Sequence, residues 1–125
     1  MLLRQDDSRC QSDIIQVNSK SGLQGSSRNA AYAGSKFGGI GLTQSFAMEL
    51  VEDGIKVNAV CPGYVATPMT ERSIEHIVAR TGLGADEARR RLVAANPQGR
   101  LIEPEEVAAL RAELLTRLDA PPPLD

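Results

Sequence analysis

The spacing of apolar positions changes character along the chain, and each change predicts an element. In DIIQVNS, Ile14, Ile15 and Val17 crowd together, as a short buried strand requires. Residues 19–29 (SKSGLQGSSRN) lose the apolar pattern to serine and glycine and read as a loop. Over 30–52 the apolar residues Phe37, Ile40, Phe46, Ala47, Leu50 and Val51, together with Thr43, recur at spacings near three and four. That spacing predicts one long helix with this face buried. Asn29 is placed to cap its start, and Gly54 to end it in the left-handed conformation. IKVNAV, residues 55–60, alternates and is β-branched, so a second strand follows until Pro62-Gly63 stops it. Strand, loop, long helix and strand in this order predict a parallel pair joined by a right-handed crossover.

Downstream the pattern is helical. MTERSIEHIVARTG is amphipathic and is broken by Gly82 and Gly84. ADEARRRLVAAN is a second such piece, ended by Asn96-Pro97. EPEEVAALRAELLTRL is a third, with Pro104 at a first-turn position where its missing N–H costs nothing. Residues 1–12 carry no pattern and are expected to be an unstructured lead-in. The prolines of APPPLD exclude helix and central strand. The fold class is therefore α/β, with 13–108 as the folded part and 109–125 as an atypical tail.

Composition narrows the partners. At 125 residues, 42% apolar and 24% charged, the chain has the size and core content of one ordinary domain. A net charge of −2 gives no reason to expect nucleic acid. The one basic run, Arg89-Arg90-Arg91, has acids at helical spacing and reads as a solvated face. Cys10 and Cys61 are far apart and form no CxxC, as expected of free thiols in a reduced compartment. No apolar run approaches the roughly 18 residues of a membrane span, and MLLRQDDSRC is too polar for a secretory leader. A cytoplasmic protein without membrane contact is expected. With His76 as the sole histidine, no zinc site is expected, and His76 itself reads as a packing residue.

Tyr32 and Lys36 in AAYAGSKFGG stand four apart and so share a helix face. A free phenol ionises near pH 10 and is a poor proton donor or base at neutral pH. An ammonium within about 6 Å favours the phenolate. The YxxxK spacing alone is most often a surface pair. Ser19, thirteen residues before Tyr32, ends the first strand across a loop able to fold back. Pro62-Gly63 follows the second strand, and open parallel sheets bind ligands beyond the carboxyl ends of their strands. Ser19, Tyr32, Lys36 and Pro62-Gly63 are thus expected at one crevice. Gly38, Gly39 and Gly41 are expected to let the helix approach its neighbours closely.

Taken together, NSKSG, YAGSK, MELVEDGIKVNAV and CPGYVATPM resemble the short-chain dehydrogenase/reductase superfamily over roughly residues 13–108. The resemblance implies the C-terminal portion of a Rossmann-like, doubly wound parallel sheet whose N-terminal dinucleotide-binding half is missing. It implies hydride transfer between NAD or NADP and an alcohol or ketone. Tyr32 matches the family's acid/base, Ser19 the serine that hydrogen-bonds the same substrate oxygen, and Lys36 the lysine that assists the tyrosine and holds the nicotinamide ribose. Pro62, Gly63, Val65 and Thr67 match the turn that touches the nicotinamide carboxamide. IIQVNSKSG and KFGGIGLTQS are similar to sorbitol-6-phosphate dehydrogenases, and NPQGRLIEPEEVA to reductases of 3-oxoacyl and 3-hydroxyacyl thioesters. Residues 70–96 match the substrate lid, where Arg72, Arg80 and the triple arginine read as solvated surface rather than a phosphate or coenzyme A site. The helix at 30–52 matches the surface through which the complete family forms homo-oligomers.

The chain departs from the family in four ways. It contains no GxxxGxG loop, no residue matching the one that selects NAD or NADP, no match to the asparagine that often joins the family's catalytic set, and no family-type TGQ turn after Glu106-Val107-Ala108. Weak cofactor binding is expected, because the pyrophosphate lacks its helix N-terminus. Marginal stability is expected as well, because two strands leave the long helix with an uncovered apolar face. Two readings remain: the catalytic segment of an oxidoreductase, or a non-catalytic remnant that acts by helix-mediated association.

Overall fold

The crossover predicted from the apolar pattern is present. Residues 2–6 and 11–118 are described by a computed structural model of the chain. They run β1 (Leu2–Asp6), β2 (Gln11–Val17), a 3-10 turn (Lys20–Gly22), α1 (Ala30–Glu49), β3 (Ile55–Val60), α2 (Pro68–Thr81), α3 (Ala85–Ala94) and α4 (Pro104–Leu118). β2 pairs in parallel with β3, from Ser12 opposite Ile55 to Val17 opposite Val60. Ile15, Val57 and Val60 are buried in this pair, which is the α/β arrangement expected.

Where a loose lead-in was expected, Leu2–Asp6 forms β1, antiparallel to β2 with Leu2 opposite Ile15. The reason is backbone hydrogen bonding. The outer edge of β2 would otherwise present unpaired N–H and C=O groups, and an adjacent extended segment satisfies them at once. The order β1-β2-β3 leaves β3 at the other edge.

The face expected to be buried on α1 is mostly not. Ala33, Gly39 and Thr43 are buried, and Ile40, Ala47 and Leu50 are half-buried. Phe37 (47%), Phe46 (41%) and Val51 (65%) are exposed. A three-stranded sheet covers only a narrow stripe of a long helix, so α1 turns its small residues toward the strands. Only Gly39 has a close neighbour; Gly38 and Gly41 face open space. The helix also stops at Glu49, ahead of the expected end. The amides of Gly54 and Ile55 return to the carbonyls of Val51 and Leu50, with Gly54 left-handed at φ 73° as its type suggests. Asn29 occupies the N-cap position without capping by its side chain, whose amide instead donates to Ser26 Oγ.

A polar seam docks α1 against the end of β2. Asn18 is buried, and its Nδ2 donates to Gln16 Oε1 at 2.9 Å and to the Lys36 carbonyl at 3.2 Å. The Thr43 hydroxyl lies 3.0 Å from both Gln16 Oε1 and the Gly39 carbonyl. The seam leaves no room for side chains at Gly22 and Gly39. A Cβ on Gly22 would lie 2.7 Å from Asn18 Oδ1 and 2.9 Å from the Lys36 carbonyl. One on Gly39 would lie 2.7 Å from Asn18 Nδ2.

The described residues divide into two compact units, one holding β1, β2, α1 and β3 and the other holding Pro62–Ala108. The second unit has its own apolar centre of Ile74, Ala88 and Leu92, with Ile77 and Val78 against it. Its helix ends are fixed locally. Thr67 Oγ1 accepts from the Thr70 amide at the start of α2, and left-handed Gly82 closes the other end. The basic run is solvated and paired: Arg89 with Glu71, and Arg90 and Arg91 with Glu87. His76 is exposed rather than packed. The tail expected at 109–125 is helical as far as Leu118, and APPPLD begins beyond the described residues.

Gly22→Ala is expected to lower stability by about 1–3 kcal/mol, since Asn18 and a backbone carbonyl both stand in the way. Gly38→Ala, in open space mid-helix, is expected to raise it by up to about 1 kcal/mol. Urea denaturation of the two variants in parallel checks both signs.

Candidate active site

The first two turns of α1 carry the predicted pair. Lys36 Nζ stands 5.5 Å from the centroid of the Tyr32 ring, a cation–π contact along the shared helix face. Tyr32 is 39% exposed and Lys36 half-buried. Among the described residues no carboxylate pairs with Lys36. The cation is thus held near the phenol ring.

Ser19 follows the end of β2 and opens the 3-10 turn in extended conformation. Its Oγ accepts from the Ser21 amide at 3.1 Å, which leaves the hydroxyl proton available for donation. Its own N–H donates to Asn18 Oδ1 at 2.7 Å. Among the described residues no hydrogen bond joins Ser19 to Tyr32; Ser19 is linked to α1 through Asn18. Cys61, just past β3, is a free thiol. Burial pushes its ionisation up, and a hydrogen bond from the Ser19 backbone opposes that shift. Cys10 lies outside the described residues. An open cavity of about 430 Å³ runs along α1 and β3, lined by Leu23, Ile40, Thr43, Val57 and Cys61 among others. Ser19, Tyr32 and Lys36 do not line it.

Pro62, Gly63, Val65 and Thr67 fall in the second unit. Their turn is built around Asn96, a buried residue of that unit. Asn96 Oδ1 accepts from the Tyr64 amide at 2.9 Å, and its Nδ2 donates to the carbonyls of Tyr64 at 2.8 Å and Arg100 at 2.9 Å. A Cβ on Gly63 would overlap Asn96 Oδ1, which explains glycine there. Val65 makes a parallel bridge to Ile102, with the Ala66 amide on the Ile102 carbonyl at 2.8 Å. Thr67 spends its hydroxyl on capping α2. Arg100 and Glu106 form a two-pronged ion pair at 2.8 and 2.7 Å, and the Glu103 amide also donates to Glu106. Hydrogen bonds from the Arg100 guanidinium, then the Glu103 amide, hold the Glu106 carboxyl at about 2, well below the usual range.

The structure thus brings Tyr32 and Lys36 together, ties Ser19 to their helix through a neighbour, and builds the Pro62–Thr67 turn on a separate support. Sequence reasoning missed Asn18 and Asn96. The available signal was an amide side chain at the end of each predicted element, where a buried polar group satisfies backbone atoms that regular structure leaves unpaired.

A family model described as short chain dehydrogenase matches residues 1–77. The chain is 41% identical over 95 residues to the 3-oxoacyl-[acyl-carrier-protein] reductase of Thermotoga maritima, covering 76% of this chain and 34% of that protein. Its fold superimposes on a variant of actinorhodin polyketide ketoreductase solved with NADPH. That match has TM-score 0.77 and 40% identity, and covers 84% of this chain and 40% of the other. It also superimposes on sorbitol-6-phosphate 2-dehydrogenase from Erwinia amylovora. There the TM-score is 0.72 and the identity 34%, over 86% of this chain and 41% of the other. The chain therefore spans about two fifths or less of the length of these three proteins.

Two outcomes check the turn. Asn96→Ala is expected to destabilise the second unit by about 1–3 kcal/mol, because the Tyr64 amide and two carbonyls lose their buried partner. Hydrogen exchange at the Tyr64 amide reads this directly. The depressed Glu106 carboxyl stabilises the fold above the ordinary carboxylate range, and that contribution is lost as pH falls toward 2. A carboxyl-carbon NMR titration is expected to find its midpoint near 2, and Arg100→Ala to raise it.

Proposed function

The chain belongs to the short-chain dehydrogenase family, and from that premise we propose that it is the catalytic segment of an oxidoreductase. The reaction is reversible hydride transfer between NAD or NADP and a secondary alcohol or its ketone. The observation that carries this reading is the unpaired Lys36 ammonium held 5.5 Å from the centre of the exposed Tyr32 ring. In reduction Tyr32 gives its phenolic proton to the oxygen of the substrate carbonyl, and in oxidation it takes a proton from the alcohol. Lys36 keeps a positive charge beside the phenol ring during that exchange. Ser19, with its hydroxyl proton free, donates to the same substrate oxygen as charge develops there.

Within the first unit, Lys36 and Tyr32 offer donors for the hydroxyls of a ribose. For the Pro62, Gly63, Val65 and Thr67 turn of the second unit, a role toward a carboxamide rests on the family resemblance. The chain's sequence has no glycine-rich loop for a pyrophosphate, so its affinity for NAD or NADP alone is weak. When bound, the nicotinamide supplies the hydride. The similarity to the acyl-carrier-protein and polyketide reductases favours a ketone within an acyl thioester or polyketide as substrate, with a sugar alcohol phosphate as the competing class. The free Cys61 suits a reduced, cytoplasmic setting. Among the described residues no helix is long and apolar enough to cross a membrane, and no group of three or more acidic, cysteine or histidine residues could hold a metal.

A second reading rests on its own observation. Phe37, Leu42, Phe46 and Met48 leave much of α1 apolar and exposed, and Val51 just beyond its end is exposed as well, which suits association of copies through this helix with no catalysis.

Nicotinamide fluorescence and turnover, measured on the chain alone and with a supplied glycine-loop half, separate the two. Tyr32→Phe is expected to lower turnover by about 100-fold or more, with a smaller loss of cofactor affinity from the ribose donor it removes. Lys36→Ala is expected to weaken both. Concentration-dependent association without saturable cofactor binding in either format decides for the second reading.

A further inference from the structure

We infer that Asn18 is a positioning residue for the active site, coupling the serine loop to the helix that carries Tyr32 and Lys36. This rests on the oxidoreductase reading and deepens it. One side-chain amide makes both connections. Its Oδ1 accepts from the Ser19 amide at 2.7 Å, and its Nδ2 donates to the Lys36 carbonyl at 3.2 Å. The backbone of Asn18 is itself anchored, with its N–H on the Val60 carbonyl at 2.7 Å. The side-chain amide thus ties the Ser19 loop to the Lys36 turn of α1, and the backbone N–H of the same residue ties it to the end of β3.

The surroundings are shaped for this group. Gln16 Oε1 takes a second bond from Nδ2 and lies 3.0 Å from the Thr43 hydroxyl, which sets the orientation of both amides. Gly22 and Gly39 flank Asn18 so closely that a Cβ on either would meet its amide at 2.7 Å. The residue is buried, so its bonds do not compete with water. A serine or alanine could not reach the Lys36 carbonyl from this backbone position. An aspartate would keep an acceptor for the Ser19 amide and set a second acceptor against that carbonyl.

Asn18→Ala and Asn18→Asp, made in the full chain, test the assignment by two routes. The first is NMR of isotope-labelled protein, with the β2 and β3 amides reporting that the variant is folded. Asn18→Ala is expected to move the Ser19 amide, Lys36 carbonyl and Tyr32 ring signals together. Asn18→Asp is expected to hold the Ser19 amide and move the other two, and it decides the matter if the alanine variant does not fold. A folded variant whose Tyr32 and Lys36 signals stay in place overturns the proposal. The second route is kinetic, with NADPH, a 3-oxoacyl thioester and the glycine-loop half. Both variants are expected to lose about 10- to 100-fold in kcat with KM little changed. A variant that melts earlier but keeps kcat shows a purely structural role and also overturns it. Absence of turnover in the unsubstituted chain counts against the oxidoreductase reading alone, because the NMR signals still decide the role of Asn18.

Discussion

A polar side chain buried at the end of a strand has to find every partner inside the protein, and the first unit is organised around that demand at Asn18. Leaving such a group unpaired costs about 1–3 kcal/mol, a large share of a small domain's stability. The amide meets the demand by binding the backbone of its neighbour Ser19 on one side and the carbonyl of Lys36, on α1, on the other. Those bonds hold only if α1 lies close to the strand end, and close approach is possible only with glycine at 22 and 39. The height and rotation of α1 follow from that contact, and with them the places of Tyr32 and Lys36. Their side chains need no bond to the sheet because the helix beneath them is already fixed.

The second unit uses the same device on a smaller scale. Asn96 is again a buried amide, and it satisfies a turn rather than a helix. Its neighbours are held by short-range means: a threonine cap on α2, a single bridge from Val65 to Ile102, and an exposed ion pair between Arg100 and Glu106. A buried amide fixes backbone geometry within tenths of an ångström. The surface charges around it add orientation and little depth. In both units the side chains matched to chemistry stand on backbone held by an asparagine one step removed.

Much of this was legible in the sequence, and the failures share a cause. β3 was read to its residue limits, and α2 and α4 nearly so, because alternation, caps and an N-terminal proline are local signals. The Tyr32–Lys36 pair followed from helical spacing alone. The burial of α1 did not, because which face a helix buries depends on how many strands lie beneath it. Phe37 and Phe46 look like core residues by spacing, yet the sheet reaches only the stripe of Ala33, Gly39 and Thr43. β1 was missed because a strand that exists to cover a neighbour's edge needs no apolar period of its own. Asn18 and Asn96 were read as a strand end and a helix stop. Their partners lie up to 32 residues away, and no local pattern announces them.

The pairing of the strands also has a consequence in time. β1 meets β2 through a short connection, whereas β2 meets β3 only after roughly forty intervening residues have been gathered in. Contacts close in sequence form sooner than those that must enclose a long loop. By that rule the pairing of β1 with β2 precedes that of β2 with β3, and closing the long segment between β2 and β3 is the slower step.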